Sequence, residues 1–286
     1  MFPLSVTIIT FNEEKNIGRC IDSVKKVADE IIVLDSFSSD ATVEIAMQKG
    51  AIVKQKKFIG FIEQKNLALQ FTSYDYVLSL DADEVLDDTL VKSILDAKMN
   101  FAYKAYTMNR CANFCGREIH HGLWYPDKKL RLFDKRIASW GGTNPHDRVK
   151  PIEPIMICRL KGNILHYSYN SLEEYFSKAN NYSSISAASL HNIGETTGLG
   201  KILIHPLWSF INGYILRLGF LDGFYGFLIA INTAHYSFTK HIKLYQLQKI
   251  KPKEVNRKMF DDKRGKSLSA VSPLKRGLTK SYFKST

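Results

Sequence analysis

Residues 4–14, Leu-Ser-Val-Thr-Ile-Ile-Thr-Phe-Asn-Glu-Glu, decide the fold. Residues 4–10 are nearly all apolar or β-branched, which is typical of a buried strand. Polar residues 12–14 end that strand, and apolar residues then recur at a helical spacing, at positions 17, 20, 21, 24 and 27. The stretch therefore predicts a strand that is followed directly by a helix.

The same strand-and-helix unit recurs through the first 95 residues. Further strands are predicted at 30–35, 51–53 and 74–80, with helices at about 41–48 and 61–71 and from near Asp87 onward. The strands are continuous apolar runs rather than alternating patterns, which indicates that both faces of the sheet are buried. We therefore expect an α/β fold with a mostly parallel sheet that is flanked by helices.

The pattern changes after residue 100. Residues 103–167 predict short strands and turns, with aromatic residues throughout. Ser171, followed three residues later by Glu174, forms a capping box, which predicts a helix that runs to about residue 190. This second region therefore adds a strand-rich segment and a long helix to the parallel sheet.

Polar residues cluster where three of the predicted strands end, at 10–14, 35–40 and 81–84. Ligands of open parallel sheets bind at the carboxyl ends of the strands, so these clusters predict one shared site. Asp81 and Asp83 offer hard oxygen ligands of the kind that suits Mg²⁺ or Mn²⁺. The alternative is that Asn12 forms a turn and that the aspartates are solvated or cap helices.

The motifs at these strand ends resemble the signature of family 2 glycosyltransferases, which have the GT-A fold. The motifs are Val6-Thr7-Ile8-Ile9-Thr10-Phe11-Asn12-Glu13-Glu14, Ile32-Val33-Leu34-Asp35-Ser36-Phe37-Ser38-Ser39-Asp40 and Leu80-Asp81-Ala82-Asp83-Glu84. Within that family the chain most resembles the lipopolysaccharide-core β-1,4-glucosyltransferase group. The features shared with that group lie at residues 60–66, 124–133 and 145–148, and the whole resemblance covers roughly residues 4–245.

The resemblance implies a Rossmann-like GT-A catalytic domain over residues 1–200, with a nucleotide-sugar half (1–100) and an acceptor half (101–200). It assigns the donor, a UDP-sugar, to Thr10, Asn12, Glu13, Asp35, Lys65, Asn66 and Asp81. It assigns Mg²⁺ or Mn²⁺ to Asp83. The chemistry agrees, because a divalent metal neutralises the charge that develops on a leaving diphosphate.

The resemblance also implies an inverting reaction, which needs one carboxylate base for the acceptor hydroxyl. That base falls in a His-acid pair, here His146-Asp147, and Asp147 is the candidate, although many relatives have Glu there. An ion pair of Asp147 with Arg131 or Arg148 is the structural alternative. Trp124, Arg131 and His146 are the candidate acceptor contacts, although a core position is the commoner case for a tryptophan. Lys128 is a further candidate for an acceptor or phosphate contact, and a solvated surface position is the alternative for it.

Residues 201–248 predict amphipathic helices. Between 202 and 239 only Arg217 and Asp222 are charged, and nine residues are aromatic. The uncharged stretches, 202–216 and 223–239, are shorter than the roughly 20 apolar residues that a membrane span needs. We therefore expect association with a membrane surface, and the alternative is that these helices cover the sheet or form a homodimer.

The formal net charge of +12 is concentrated in the last 38 residues. The tail at 249–286 contains 12 Lys or Arg and three acidic residues, which gives it a charge of +9. Such a tail suits anionic lipid or nucleic acid, or it is simply solvated, and we expect no sequence-specific nucleic-acid partner. The start of the chain lacks the pattern of a signal peptide, which predicts a cytoplasmic enzyme at the inner face of the membrane.

A zinc site is a competing interpretation of Cys111, Cys115, His120 and His121. The Cys-x3-Cys spacing differs from that of common zinc knuckles and a second pair is missing, so free thiols are favoured. Four cysteines in 286 residues also exclude a disulfide scaffold. The chain has no Gly-x-Gly-x-x-Gly, P-loop or serine elbow motif, which disfavours dinucleotide oxidoreductases, P-loop enzymes and serine hydrolases.

These observations favour an inverting, metal-dependent glycosyltransferase. It would move a hexose from a UDP donor to a lipid-linked or cell-envelope glycan such as the lipopolysaccharide core. One alternative is a polyprenyl-phosphate glycosyltransferase of the same fold, for which Asp147 would be dispensable. A second, of another class, is a non-catalytic protein that binds membranes or nucleic acid through its helices and tail.

Overall fold

The computed structural model describes residues 1–143 and 146–249. The predicted basic tail therefore lies outside the described residues, apart from Lys249. The side chain of His146 is likewise not described, although its backbone begins a strand.

The first part of the chain forms the predicted parallel sheet. Its strands are β1 (Ser5–Thr10), β2 (Glu30–Asp35), β3 (Ile52–Gln55) and β4 (Tyr76–Asp81). Its helices are α1 (Ile17–Val24), α2 (Thr42–Gln48) and α3 (Phe61–Gln70). The strands are parallel in the order β3-β2-β1-β4, which confirms the predicted alternation of strand and helix.

The strand order changes direction between β1 and β4. The chain moves from β1 outward to β3 and then returns to place β4 on the other side of β1. Residue Ile9 of β1 pairs with Asp81 of β4, so the carboxyl ends of both strands open at one point of the sheet edge. A crevice forms at such a switch point, and it is where ligands of these sheets bind.

The second part of the chain extends the same sheet. Its elements are β5 (Glu84–Leu86), α4 (Asp88–Ala97), β6 (Ala105–Phe114), β7 (Arg117–Glu118), a 3-10 turn at Gly122–Trp124, β8 (Asp127–Asp134), β9 (Ala138–Thr143), β10 (His146–Pro151) and β11 (Ile157–Tyr169). The main sheet has the order β3-β2-β1-β4-β8-β6-β11-β5, with β7 beside β6. Strands β9 and β10 form a separate antiparallel ribbon.

The prediction of only short strands in this region is wrong for β6 and β11, which have 10 and 13 residues. Strand β11 is hard to recognise because its register against β6 shifts between Arg159 and Asn163. Gly162 lies in that irregularity at φ +94°, and a Cβ there would lie 2.2 Å from the amide nitrogen of Leu90. The bulge therefore lets β11 approach the start of α4, which begins where predicted and is capped by Asp87 rather than by Asp81 or Asp83.

The last described part of the chain is helical. It consists of α5 (Leu172–Asn192), α6 (Leu199–Phe210), a π-helical turn (Ile211–Leu216), a 3-10 turn (Gly219–Asp222) and α7 (Gly223–Lys249). Ser171 accepts a hydrogen bond from the amide of Glu174, which confirms the predicted helix start. No single helix among the described residues is long and apolar enough to cross a membrane, whereas Leu199–Leu216 and Gly219–Lys249, bent by 72°, pass that test as a pair.

The helical hairpin formed by α6, its two turns and α7 is fixed to the sheet domain at its bend. Asp222 Oδ2 accepts from the backbone amides of His120 and His121 at 3.1 and 2.8 Å. Within the bend, a Cβ on Gly226 would lie 1.8 Å from the carbonyl oxygen of Gly219, so the turns fit only because that residue is glycine. This close packing fixes the angle between the two arms of the hairpin, and the bonds of Asp222 attach the bend to the sheet domain.

Candidate active site

The loops after β1 and β2 hold each other in place. Asn12 lies in the left-handed region at φ +53° and its Oδ1 accepts from the amide of Ser39 at 2.8 Å. In return, the amide of Asn12 donates to Ser38 Oγ at 2.8 Å. These bonds build one rigid rim at the carboxyl ends of both strands.

The carboxylate of Asp35 supports the same rim from below. Asp35 is fully buried and accepts from the amide of Ser38 at 3.0 Å and from Gln55 Nε2 at 2.9 Å. Asp35 does not cap α2, whose N-cap is Ala41, so the helix-cap alternative for Asp35 is not realised. Thr10, the last residue of β1, keeps a buried hydroxyl that has no hydrogen-bond partner among the described residues.

Glu13 belongs to this rim as well. Its amide donates to Thr42 Oγ1 at 2.8 Å. Burial raises the pKa of the Glu13 carboxyl, and the nearby negative charge of Asp83 raises it further. Glu13 therefore lies close enough to Asp83, two residues after β4, for the two carboxylates to interact.

Lys65 lies at the centre of the crevice. Its ammonium is 3.0 Å from Asp81 Oδ1 and 2.8 Å from Asp147 Oδ2, and its side chain is only 3% exposed. Burial alone would raise the pKa of Asp81, but Lys65 and then Arg131 outweigh it and hold that pKa well below its ordinary value. One buried cation thus joins the predicted donor contact to the predicted base.

Arg131 forms the floor of the crevice. Its Nη2 is 2.8 Å from Glu84 Oε1 and 3.2 Å from Asp81 Oδ2, and Glu84 is fully buried. Burial would lower the pKa of Arg131, but the charges of Glu84 and Asp81 raise it, so the guanidinium stays charged. Its buried Nε and Nη1 have no hydrogen-bond partner in the described part of the chain.

His166 is a site residue that the sequence did not indicate. It lies on β11, and its Nε2 is 3.1 Å from Asp83 Oδ2. Its Nδ1 is 2.7 Å from Ser168 Oγ, which orients the ring. The backbone amide of Tyr167 also donates to the carbonyl of Asp83 at 2.9 Å. Only the pairing of distant strands brings His166 to Asp83, so no local motif could have found it.

Asn66 and Trp140 form a second connection across the crevice. Asn66 Oδ1 accepts from the amide of Trp140 at 2.9 Å, and Asn66 Nδ2 donates to its carbonyl at 2.9 Å. The Trp140 ring lies beneath two cations, with Lys65 Nζ at 4.3 Å and Arg131 Cζ at 5.2 Å from its centroid. Asn66 therefore positions a tryptophan against the charged centre.

Trp124, the predicted stacking residue, lies elsewhere. Its ring packs against Phe114, Tyr169 and Tyr175, with centroid distances of 5.5 to 6.0 Å. The structure therefore places it in an aromatic cluster beneath the helical hairpin, in agreement with the core alternative. Trp140 is the tryptophan that contacts the charged centre.

A cavity of about 830 Å³ opens from this centre. Its lining comprises Lys65, Asp81, Arg110, Lys128, Lys129, Leu130, Arg131, Trp140, Gly142, Asp147, Arg148, Val149 and Lys150. Its size lies in the range of small-ligand sites. Asp81, Lys65, Arg131 and Asp147 are thus brought together, whereas the rim residues of β1 and β2 lie outside this lining.

The Cys/His cluster offers a separate arrangement. Cys111, Glu118 and His120 place ligand atoms within 4.8 Å of one another. However, His120 turns Nε2 to Glu118 at 3.3 Å and Nδ1 to Cys111 at 3.8 Å. One imidazole uses a single nitrogen for a metal, so this geometry is that of side-chain contacts, and the cysteines among the described residues are free thiols as expected.

Comparison with known proteins decides the family. The family model for glycosyl transferase family 2 matches residues 5–152, which contain both strand-end loops, Asp81, Asp83 and Asp147. The chain belongs to glycosyl transferase family 2. It is therefore a glycosyltransferase with the GT-A type of α/β fold.

Curated relatives of this glycosyltransferase agree with the assignment. An uncharacterized glycosyltransferase of Rickettsia typhi is 35% identical over 257 residues, covering 86% of this chain and 88% of that protein. A lipopolysaccharide core biosynthesis glycosyltransferase, LpsC of Rhizobium meliloti, is 27% identical over 258 residues, covering 87% and 94%. Both similarities include the C-terminal helices as well as the crevice.

Solved structures also resemble the glycosyltransferase. Glucosyl-3-phosphoglycerate synthase of Mycobacterium tuberculosis is 27% identical with a TM-score of 0.33, and covers 39% of this chain. The chain in turn spans 44% of that synthase. TarS of S. aureus is 16% identical with a TM-score of 0.42, covering 86% of this chain and 89% of that one. Both TM-scores lie below 0.5.

Proposed function

We propose that this glycosyltransferase moves a hexose from UDP to an envelope glycan of the lipopolysaccharide-core type, with inversion and with a divalent metal. The observation that carries the proposal is the position of Lys65, whose ammonium joins Asp81 to Asp147 across one crevice. A donor at Asp81 and a base at Asp147 would then face the same reacting carbon. The named role of the LpsC relative supports the core acceptor, and the strand-end motifs support uridine.

The side chains at the end of β4 fit a metal and a diphosphate. His166 Nε2 and Asp83 Oδ2 lie 3.1 Å apart, so the nitrogen donates its proton to the carboxylate or, once deprotonated, shares a cation with it. They would hold Mg²⁺ or Mn²⁺, which would neutralise the leaving diphosphate. The unpartnered Nε and Nη1 of Arg131 are further donors for anionic oxygens.

Asp147 is suited to act as the base. Its carboxylate is 13% exposed and lies on β10, outside the strand ends that would hold the nucleotide. A base must approach the acceptor hydroxyl opposite the leaving group, and a carboxylate on a separate ribbon meets that need. Lys65 fixes the orientation of this carboxylate before the acceptor binds.

Calorimetric titration of UDP, GDP and CDP, with and without Mn²⁺, tests the donor and the metal together. We expect Mn²⁺-dependent binding of UDP to the wild type, and a loss of at least tenfold in affinity for Asp83→Asn and His166→Gln. Asp96→Asn removes an exposed carboxylate of α4 and serves as the matched control with unchanged affinity. Absence of nucleotide binding by the wild type would overturn the proposal.

We also propose that the helical hairpin associates with a cytoplasmic membrane surface. Large apolar side chains stand exposed along it, including Leu203 at 66% and Phe224 at 70%, together with Ile204, Leu207 and Trp208. The Asp222 carboxylate, one of two charged groups between 202 and 239, is occupied by the 120–121 loop. Lipid would cover this apolar surface, and the basic residues after 249 would favour anionic headgroups.

Flotation with vesicles of phosphatidylglycerol and of phosphatidylcholine tests this proposal. We expect the wild type to float with the anionic vesicles, and Leu203→Gln with Leu207→Gln to abolish flotation. Met99→Gln with Met156→Gln removes equally exposed apolar side chains elsewhere and serves as the control. A wild type that stays unbound and sediments as a dimer would instead assign the hairpin to a homodimer interface.

A further inference from the structure

The cavity beside the reaction centre carries a large excess of positive charge. Seven of its lining residues are lysine or arginine and two are aspartate. Four of the seven cations have anionic partners: Lys65 and Arg131 pair with Asp81, and Arg110 and Lys129 pair with Asp127. The remaining charge therefore comes from a defined set of three residues.

Lys128, Arg148 and Lys150 are these three residues, and we call them the cationic rim. Their side chains are exposed, and their head groups have no hydrogen bond or ion pair with any other residue that the structure describes. Lys128 comes from β8, and Arg148 and Lys150 come from β10, so two separate strands contribute charge to one concavity. Like charges held in a cleft repel each other and concentrate the field there, which favours an anion.

The cationic rim lies on the acceptor side of the reaction centre. The rim of β1 and β2, where the resemblance assigns the nucleoside, contributes nothing to the cavity lining. Asp81 ends β4 and also lines the cavity, and Lys65 joins it to Asp147. A ligand in this cavity would therefore lie beside the predicted base and outside the loops after β1 and β2.

We propose that the cationic rim binds an anionic group, phosphate or carboxylate, on the acceptor sugar. This inference rests on the proposed function, and it gives the substrate class: a glycan that is charged next to the hydroxyl that reacts. Asp147, Arg148 and Lys150 all line this cavity, so a phosphate anchored by Arg148 and Lys150 would hold the acceptor close to Asp147. A neutral glycan would leave the three cations without a partner.

The test measures anion binding while UDP and Mg²⁺ fill the donor side. Glucose 6-phosphate is the probe, and glucose is its uncharged counterpart, both titrated calorimetrically. We expect glucose 6-phosphate to bind the wild type at least tenfold more tightly than glucose. The triple variant Lys128→Gln, Arg148→Gln, Lys150→Gln should lose that difference, with its affinity for UDP within twofold of the wild type.

The matched control is Lys25→Gln, Lys26→Gln, Lys92→Gln, which removes the same charge from exposed positions on or just after α1 and on α4. We expect it to bind glucose 6-phosphate as the wild type does. Equal weakening by both triple variants, or equal binding of the two sugars, would overturn the proposal. A loss of UDP affinity equal to that for glucose 6-phosphate would assign the rim to the donor diphosphate and also overturn it.

The outcomes separate this proposal from the proposed function. If the wild type fails to bind UDP, the function fails, and the two triple variants titrated without nucleotide still report whether the rim binds phosphate. If UDP binds and the rim variant takes up glucose 6-phosphate normally, the function stands and the acceptor-anion proposal fails.

Discussion

The two sides of the active-site crevice are built differently. On the β1 and β2 side, Asn12, Ser38, Ser39 and Asp35 bond to one another, so the loops are preorganised before any ligand binds. On the β8 and β10 side, the cations of the rim have no partners within the described residues. Preorganised loops favour one fixed ligand shape, whereas solvated cations select by charge and tolerate different shapes. Under the proposed function, the choice of donor would therefore depend on preorganised loops and the choice of acceptor on solvated charge.

The largest effect is expected at Asp147, where the two sides meet. Asp147→Asn keeps the shape but removes the base, so transfer should fall by about 10²–10⁴-fold. The affinity for UDP should change by no more than a few fold, because the loops after β1 and β2 are untouched and Lys65 keeps its pairing with Asp81. Transfer rates with saturating donor, together with UDP titration, measure both effects.

The control for that prediction is Asp127→Asn, which changes a carboxylate near the cavity that pairs with Arg110 and Lys129 instead. Its transfer rate should stay within a few fold of the wild type. Retained activity in Asp147→Asn would favour a lipid phosphate as the nucleophile, since a phosphate oxygen is already ionised and needs no strong base. That result would move the enzyme to the polyprenyl-phosphate alternative.

A smaller effect, on stability, is expected at Lys65. Lys65→Met leaves Asp81 and Asp147 without their shared cation, which should lower the free energy of unfolding by about 2–4 kcal/mol at pH 7, because a buried ion pair has lost one partner. Urea unfolding measures the loss. Lys26→Met, at an exposed position, should change it by less than about 0.5 kcal/mol.

The pH dependence of that loss has a defined sign. In the wild type the pKa of Asp81 is held below its ordinary value, so the folded state is stabilised above that ordinary value. The stabilisation disappears as the pH falls below about 4 toward the lowered pKa. The difference between wild type and Lys65→Met should therefore narrow as the pH is lowered from 7 to 4 and below. A difference in the free energy of unfolding that grows as the pH falls would contradict the stabilisation of ionised Asp81 by Lys65.

The sequence predicts the β1–β4 side far better than the β8–β10 side. Apolar runs that end near Asn12, Asp35 and Asp81 predict the strands, the turns after them and the crevice at their ends. They can do so because each strand and its loop are neighbours in the sequence. His166 and Trp140 reach the crevice only through the pairing of β11 with β5 and the bonds of Asn66 to the β9 backbone. Such long-range contacts produce no recognisable spacing of residues in the sequence. The bulge at Gly162 also interrupts the strand pattern of β11, which makes that strand harder to predict.

The smallest predicted effect is on the free energy of unfolding, and it is expected at Asn12 on the β1 and β2 side of the crevice. Its φ of +53° strains an alanine but not a glycine, and both substitutions lose the bond from Ser39. Asn12→Gly should lower the free energy of unfolding by about 1 kcal/mol and Asn12→Ala by about 2 kcal/mol. Urea unfolding at pH 7 measures both values.

The counterpart on the other side is Lys150→Gln, which removes a cation without a described partner and should change stability by less than about 0.5 kcal/mol. The loops after β1 and β2 would then be held by hydrogen bonds that also stabilise the folded state. The cationic rim would contribute nothing to that stability. If Lys150→Gln cost as much stability as Asn12→Ala, the acceptor side would be a structural network too. Selection of the acceptor by solvated cations would then be contradicted, because side chains that stabilise the fold cannot move freely to meet a ligand.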